Sequence, residues 1–407
     1  MIPNEKCTGT GASRAAEQSP SEAVHAETVN STKTDPVVSS RRDALRKLAV
    51  IPVLGSAAAV NVLHSYEEKC LAEESRKMSG EDAETVNSGK KDSIQGESGA
   101  TRTTFTPPKR PRLKEKIPMS KIGDLNVSRM ILGGNLIGGW AHARDLIYVS
   151  DLVKAYHTEQ KVYETFYLAE QCGINAFLGH WSLGKLVEGY WKWTSGKIKF
   201  IADLGCQPDQ LLDTIKRVLE TEPAACYIQG ETSDRIVREN ADLDLFAKAM
   251  ELIRSAGIPA GIGAHRIETL RAVETTGTAP DFWMKTFHTH DYWSAKAETE
   301  HDNIFCRKPE ETKAWMETRK EPWIAFKVLA AGALRPEQAF RTALEAGADF
   351  LCVGMYDFQT VQNVNTFCQI WNSELNRSRP WMTPNVDRKE LLRQEREASR
   401  AAAESDG

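Results

Sequence analysis

The sequence predicts a (β/α)8 barrel, an α/β fold of eight parallel strands ringed by helices, preceded by a disordered N-terminal region. Three observations carry this expectation. Eight short apolar runs recur between Arg129 and Met355, each followed by a turn and a stretch with helical spacing. The runs are predominantly apolar instead of strictly alternating, as strands covered on both faces require, and nearly all finish on a polar residue. Eight strand-then-helix units are also what closes a parallel sheet on itself, within roughly 250 residues.

The strands are expected within Arg129–Asn135, Ile174–His180, Ile198–Asp203, Ala224–Glu231, Pro259–His265, Phe282–His288, Trp323–Lys327 and Ala348–Met355. Helical spacing marks Val162–Cys172, Leu183–Trp193, Pro208–Thr221, Ala241–Ala256, Ile267–Thr275, Pro309–Arg319, Pro336–Ala346 and Phe358–Trp371. Pro208, Pro309 and Pro336 stand at first-turn positions, where a missing N–H costs nothing, and Gly173, Gly257 and Gly347 follow last turns as C-caps. The stretch from Leu136 to Gln160 is a long insertion after the first strand, carrying Trp140, His142, Tyr148 and Tyr156. Loops at this end of a barrel lie over its mouth, so the insertion reads as a lid. A second long loop, from Thr289 to Arg307, follows the sixth strand.

Of the 407 residues, the expected barrel occupies 118–375, with a disordered extension at 1–39, a signal segment at 40–64, a disordered linker at 65–117 and a charged tail at 376–407. The linker is rich in Glu, Lys, Ser, Gly and Thr, and cannot bury enough apolar surface to offset the entropy of ordering it. Arg41 and Arg42 directly precede an uncharged, Ala- and Val-rich run from Leu48 to Leu63. This resembles a twin-arginine export signal, with Ala44 and Arg46 where the usual pattern has Phe and Lys. The resemblance implies recognition by the twin-arginine translocase and a periplasmic or otherwise exported protein. The run is too short to give a stable membrane span, which needs about 20 apolar residues. A net charge of −4 without a basic stripe in the barrel gives no footprint for nucleic acid, and a small substrate is expected. The eight cysteines lack metal-type or scaffold spacing and read as buried thiols.

In this fold the chemistry sits at the C-terminal ends of the strands. Asn135, His180, Asp203, Gln229, Glu231, His265, Lys285, His288, Lys327 and Asp357 fall there. His180, His265 and His288 are candidates for general acid and base, because an unperturbed imidazole titrates near neutrality. Lys285 and Lys327 lie in apolar strands and must face the mouth or pair with a carboxylate, so they are candidates for oxyanion stabilisation or a structural ion pair. Asn135, Trp140, His142, Trp181, Gln229, Glu231 and Tyr292 are candidate substrate contacts. Indole and phenol faces pack on sugar rings while amides and imidazoles meet hydroxyls, which suggests a carbohydrate or polyol. His265, His288, His290 and Asp203 are also a candidate divalent-metal set, against the plainer reading of a hydrogen-bonded turn.

Two stretches resemble the aldo-keto reductase superfamily. Lys121–Arg129 leading into Ile131-Leu132-Gly133-Gly134 is similar to that family's opening, and Gly173–Gly184 follows the spacing of its motif G-x-N-x-F-D-T-A-x-x-Y-G. Gly332-Ala333-Leu334 and Val353–Val361 look like its closing cofactor region. The resemblance implies a barrel and an NADP-dependent reductase. Leu178 and Leu183, however, stand where the family has its catalytic Asp and Tyr, Asp203-Leu204 where its Lys would lie, and Gln229 in the region of its His. Three readings remain open: an exported enzyme acting on a sugar-like carbonyl or polyol by acid–base chemistry, as lyase, isomerase or hydrolase; an NADP-dependent oxidoreductase with another proton donor; and a non-catalytic carbohydrate-binding barrel.

Overall fold

The computed structural model describes residues 111–391 except 142, 144, 145, 195, 293, 294 and 296–304, together with 393 and 397. The extension, the signal segment and the linker as far as residue 110 lie outside the described residues, as does His142. Among the described residues no helix is long and apolar enough to cross a membrane.

Two strands that the sequence reading did not anticipate come first. β1 (Met119–Ile122) and β2 (Leu125–Ser128) form an antiparallel hairpin turned at Gly123, whose φ of 57° favours glycine. The eight expected strands follow as β3 (Met130–Gly133), β4 (Ala176–His180), β5 (Lys199–Asp203), β6 (Ala225–Ile228), β7 (Ala260–Ala264), β8 (Phe282–Thr286), β9 (Trp323–Phe326) and β10 (Phe350–Val353). They pair in parallel in chain order, and β10 returns to β3 to close the barrel. Ile122 and Val127 of the hairpin pack with Ile131, Ala176, Ile201, Ala225, Phe282 and Ile324 of the barrel interior. Because β2 runs into the start of β3, the hairpin stoppers the N-terminal end and leaves the other end as the mouth.

The helices are α1 (Val149–Tyr156), α2 (Glu159–Gln171), α3 (Gly184–Trp193), α4 (Leu211–Leu219), α5 (Gly230–Arg238), α6 (Asp244–Arg254), α7 (Ile267–Thr275), α8 (Pro309–Glu317), α9 (Pro336–Glu345) and α10 (Asp357–Trp371). Pro309 and Pro336 open α8 and α9, and Pro208 opens a 3₁₀ turn before α4. Gly173, Gly257 and Gly347 take φ of 89°, 73° and 108° beyond their helices, as the cap reading required. α1 and α5 were not anticipated. α1 forms inside the expected lid, and α5 is a largely polar helix between β6 and α6.

The closing seam is held by charge. Arg129 and Asp349 immediately precede β3 and β10, and neither is exposed to solvent. Arg379 Nη1 lies 2.5 Å from Asp349 Oδ2 and Arg377 Nη2 3.3 Å from Oδ1, while the backbone N–H groups of Trp323 and Met382 donate to the same carboxylate. Arg129 donates to the Asp349 carbonyl at 3.0 Å, to Thr383 and to Asn385, with its guanidinium 4.8 Å from the centre of the Trp381 ring. Burial brings Arg129 and Arg377 down to about 10, with Asp349 working the other way. Arg377, Arg379 and Thr383 belong to the stretch expected as a tail from 376, so its first residues are part of the fold.

Asp349→Asn leaves two buried guanidiniums without their counter-charge. Urea unfolding should show a loss of about 3–5 kcal/mol, the usual result of breaking a buried pair from one side. A loss under about 1 kcal/mol would mean that the surrounding carbonyls hold the seam unaided.

Candidate active site

Strand register places His180, Asp203 and Tyr227 side by side at the ends of β4, β5 and β6. Each lies two residues beyond an interior residue, Leu178, Ile201 or Ala225, so all three point inward. Above them the C-terminal mouth opens into a cavity of about 900 Å³, walled by Asn135, Trp140, Gln229, His265, Phe305 and Lys327 among others. On the β10–β3–β4 side of this wall Gly133, Gly134, Gly179 and Gly354 bring backbone close together. A Cβ on Gly133 would sit 2.9 Å from Gly354 N, and one on Gly134 2.7 Å from the Gly179 Cα.

Asp203 is a buried carboxyl with little to hold its charge. It is 8% exposed, and its Oδ2 accepts a long 3.3 Å bond from the Tyr227 hydroxyl. Its Oδ1 makes no well-formed hydrogen bond, although the Gly205 N–H lies close by. Burial therefore pushes the carboxyl up to about 6, against the charge of His180 and the bond from Tyr227.

His265 directly follows β7 and has the opposite balance. Its Nδ1 lies 3.0 Å from Asp234 Oδ2, and no hydrogen bond from its Nε2 forms among the described residues. Burial is the largest influence and lowers its pKa below 6.5; Asp234 opposes this, while the charges of Lys327 and Lys285 add to it. Asp234 stands on α5 and is 2% exposed. Burial alone would raise its carboxyl, but His265 and Thr269 hold it below the usual range.

The other candidate residues divide by what their polar atoms already do. His180 lines the cavity, but its Nε2 must donate to the Gly205 carbonyl at 3.1 Å while its Nδ1 accepts from the Ser182 N–H and contacts the Ser182 hydroxyl. Both ring nitrogens thus already meet protein groups, which makes His180 a poorer acid or base than His265. His288 lies off the cavity wall, which corrects the expectation of an acid or base there. Its Nε2 accepts from the Phe305 and Cys306 N–H groups at 3.0 Å, and its Nδ1 faces the Thr289 carbonyl. Lys285 is 1% exposed and gives its ammonium to the His265 carbonyl at 2.7 Å and to Thr286, so it braces the backbone of His265 and does not reach the mouth.

Lys327 does line the cavity, in the left-handed region at φ 56° and with its ammonium over the Phe305 ring. Strain of this kind is retained where surrounding structure enforces it, commonly at binding sites. Asn135, Trp140, Gln229 and Glu231 are also on the wall. Gln229 Oε1 caps α5 through the Thr232 N–H, and Glu231 pairs with Arg235 and Arg238. Trp181 and Tyr292 are not on it. The Trp181 indole donates to the Gly205 carbonyl, and Tyr292 packs with Ala330 and Leu334.

The expected metal set does not converge, because both His288 nitrogens and His290 Nε2 meet backbone groups of Thr289, Phe305 and Cys306, and Asp203 bonds Tyr227. Among the described residues Glu231, Asp234 and His265 bring ligand atoms within 4.8 Å of one another. Yet Asp234 already faces the His265 N–H and ring, the Arg266 N–H and the Thr269 hydroxyl, so a cation would have to displace them. Tyr227 and Asp234 were missed in the sequence. One sits inside an apolar strand, the other on a helix that the polar sequence concealed.

No family model and no curated protein matches this chain. Solved structures do align with the barrel. A Pseudomonas aeruginosa protein provisionally assigned to the aldo-keto reductases is 16% identical, with a TM-score of 0.45 over 64% of this chain and 98% of that one. A truncated 3-deoxy-D-arabino-heptulosonate 7-phosphate synthase from Thermotoga maritima is 12% identical, with a TM-score of 0.37 over 63% and 92%. An aldolase, QR15, is 14% identical, with a TM-score of 0.33 over 52% and 90%. Likeness at this level assigns no reaction.

Asp203 yields a stability test with a definite sign. Its folded pKa of about 6 lies above the ordinary value of 3.8, so the folded state binds the extra proton and stability falls as pH rises from about 4 to 6. Asp203→Asn removes that penalty. Its melting midpoint should exceed the wild type's at pH 8, where the relief is on the order of 3 kcal/mol, and match it near pH 3.5. An equal or lower midpoint at pH 8 would show that the carboxylate is well solvated or well paired.

Proposed function

We propose that this barrel is an enzyme of general acid–base chemistry, acting on a small sugar-like carbonyl or polyol. The carrying observation is a pair of titratable groups on one cavity with opposite perturbations: Asp203 is raised to about 6 by burial and His265 is lowered from 6.5. Burial thus favours the neutral form of both, a carboxyl able to donate a proton and an imidazole able to accept one.

In this reading His265 Nε2 takes a proton beside a carbonyl while Asp203 protonates the carbonyl oxygen. The C–H electron pair becomes the new C=C bond, and an enediol results. Lys327 supplies positive charge at the rim, and Asn135 and Gln229 orient hydroxyls. Such chemistry suits an isomerase or lyase better than a hydrolase, which must also place a water. Trp140, 43% exposed on the cavity wall, offers a face for a sugar ring. The Arg41–Arg42 pair supports export to the periplasm by the twin-arginine translocase.

On a panel of keto- and aldo-sugars and polyols, kcat/KM should be bell-shaped with its optimum on the acid side of neutrality. The acid limb follows protonation of His265 and the alkaline limb ionisation of Asp203. His265→Ala should lower the rate by about 10²–10⁴-fold and Asp203→Asn should abolish the alkaline limb. Full activity in His265→Ala would remove this reading, and robust NADPH-dependent aldehyde reduction by the wild type would replace it with the oxidoreductase. Binding without turnover across the panel would favour a silent carbohydrate-binding barrel.

Export has its own test. Replacing Arg41 and Arg42 together by Lys should hold the protein in the cytoplasm, because the translocase reads the guanidinium pair. An unchanged periplasmic yield would remove the export proposal.

A further inference from the structure

We infer that Asp234 is a positioning residue for His265, fixing the tautomer in which Nδ1 carries the proton and the bare Nε2 faces the cavity. This rests on the acid–base reading above, and it assigns a role to a side chain that does not itself line the cavity.

The geometry leaves little freedom. Asp234 Oδ2 accepts the backbone N–H of His265 at 3.0 Å and lies 3.0 Å from the ring Nδ1. Oδ1 accepts the Arg266 N–H at 3.3 Å and the Thr269 hydroxyl at 2.6 Å. A carboxylate has only lone pairs to offer, so the nitrogen facing it must carry the hydrogen. Four donors thus converge on one buried carboxylate, which holds it in its charged form. From the opposite side Lys285 Nζ and the Thr286 hydroxyl donate to the His265 carbonyl at 2.7 and 3.0 Å. Backbone and ring are both clamped, and Phe326 closes against the ring at 5.5 Å. Neutral imidazole has one donor and one acceptor nitrogen. With the donor committed to Asp234, the acceptor is Nε2.

This arrangement also explains why a buried histidine beside two lysines remains usable. The lysine charges and burial push its pKa down, and the Asp234 charge restrains that fall. Without Asp234 the ring is free to take the other tautomer, with Nε2 protonated and no base presented to substrate.

The test reads the tautomer before it reads activity. In protein labelled with ¹⁵N histidine, the nine histidines being assigned with the help of His265→Gln, His265 should show a protonated, pyrrole-type Nδ1 and a bare, pyridine-type Nε2 from neutral to alkaline pH. A protonated Nε2 in that range would overturn the assignment; the measurement is read on the unaltered protein without substrate, and His265→Gln serves only to identify the signal.

With a turned-over sugar in hand, Asp234→Asn should lower kcat by at least about tenfold with KM within about twofold, and shift the acid limb of the pH profile to lower pH. Asp234→Glu should recover part of the loss. Loss of stability with an unmoved acid limb and unchanged kcat would mean that Asp234 only braces the fold. Should His265→Ala prove fully active, the acid–base reading falls, while the tautomer measurement still decides this inference.

Discussion

The barrel depends on closing its last strand against its first, and that closure is made by buried charge. Eight parallel strands formed in chain order have one pairing, β10 with β3, that joins distant parts of the chain. Arg129 and Asp349 sit at the foot of this seam, and Arg377 and Arg379 reach in from the chain beyond α10. Buried ion pairs add less stability than their number suggests, since desolvation offsets most of the attraction. They do specify geometry: a guanidinium fork and a fully hydrogen-bonded carboxylate tolerate little slippage. The hairpin and the 377–385 stretch then seal the N-terminal end, which leaves the opposite end as the place where a ligand can enter.

Asp203, Asp234 and Asp349 show how one residue type takes three roles through its surroundings. Asp349 meets two guanidiniums and two backbone N–H groups at the sealed end. Asp234 receives N–H and O–H donors from the start of the α7 segment and is held below the usual carboxylate range. Asp203 has a single long bond from Tyr227, and its pKa rises. The least satisfied of the three is the one on the cavity wall. A buried charge with so little hydrogen bonding costs folding free energy, and perturbed groups of this kind cluster at functional sites.

Repetition made the barrel legible in the sequence. Eight apolar runs of similar length, with proline and glycine at recurrent positions, are a global pattern that no single ambiguous element can spoil. The hairpin escaped because its two strands are four residues each, although Gly123-Asp124 between them is a turn signal. α5 escaped because its surface is charged and its buried face carries Ser233 and Asp234 instead of leucines. The site was legible as a layer of strand ends but not as contacts. Whether Lys327 or Lys285 reaches the mouth depends on which way the strand pleat turns and where the loop carbonyls lie, and residue spacing carries neither.

Histidines show that limit most clearly. His180, His265 and His288 look equivalent in sequence, each closing or following a barrel strand. Their difference is the number of ring nitrogens left over. His180 and His288 each meet protein groups with both, so their rings fasten the neighbouring loops. His265 meets Asp234 with one and keeps the other. The same accounting bears on the resemblance to the reductases. Leu178 and Leu183 carry no ionisable group at the places of the reductase motif's Asp and Tyr, while Asp203 and Tyr227 bring a carboxyl and a phenol to the ends of β5 and β6. Asp203, Tyr227 and His265 all line the cavity, so ionisable groups stand on its wall although those two leucines offer none.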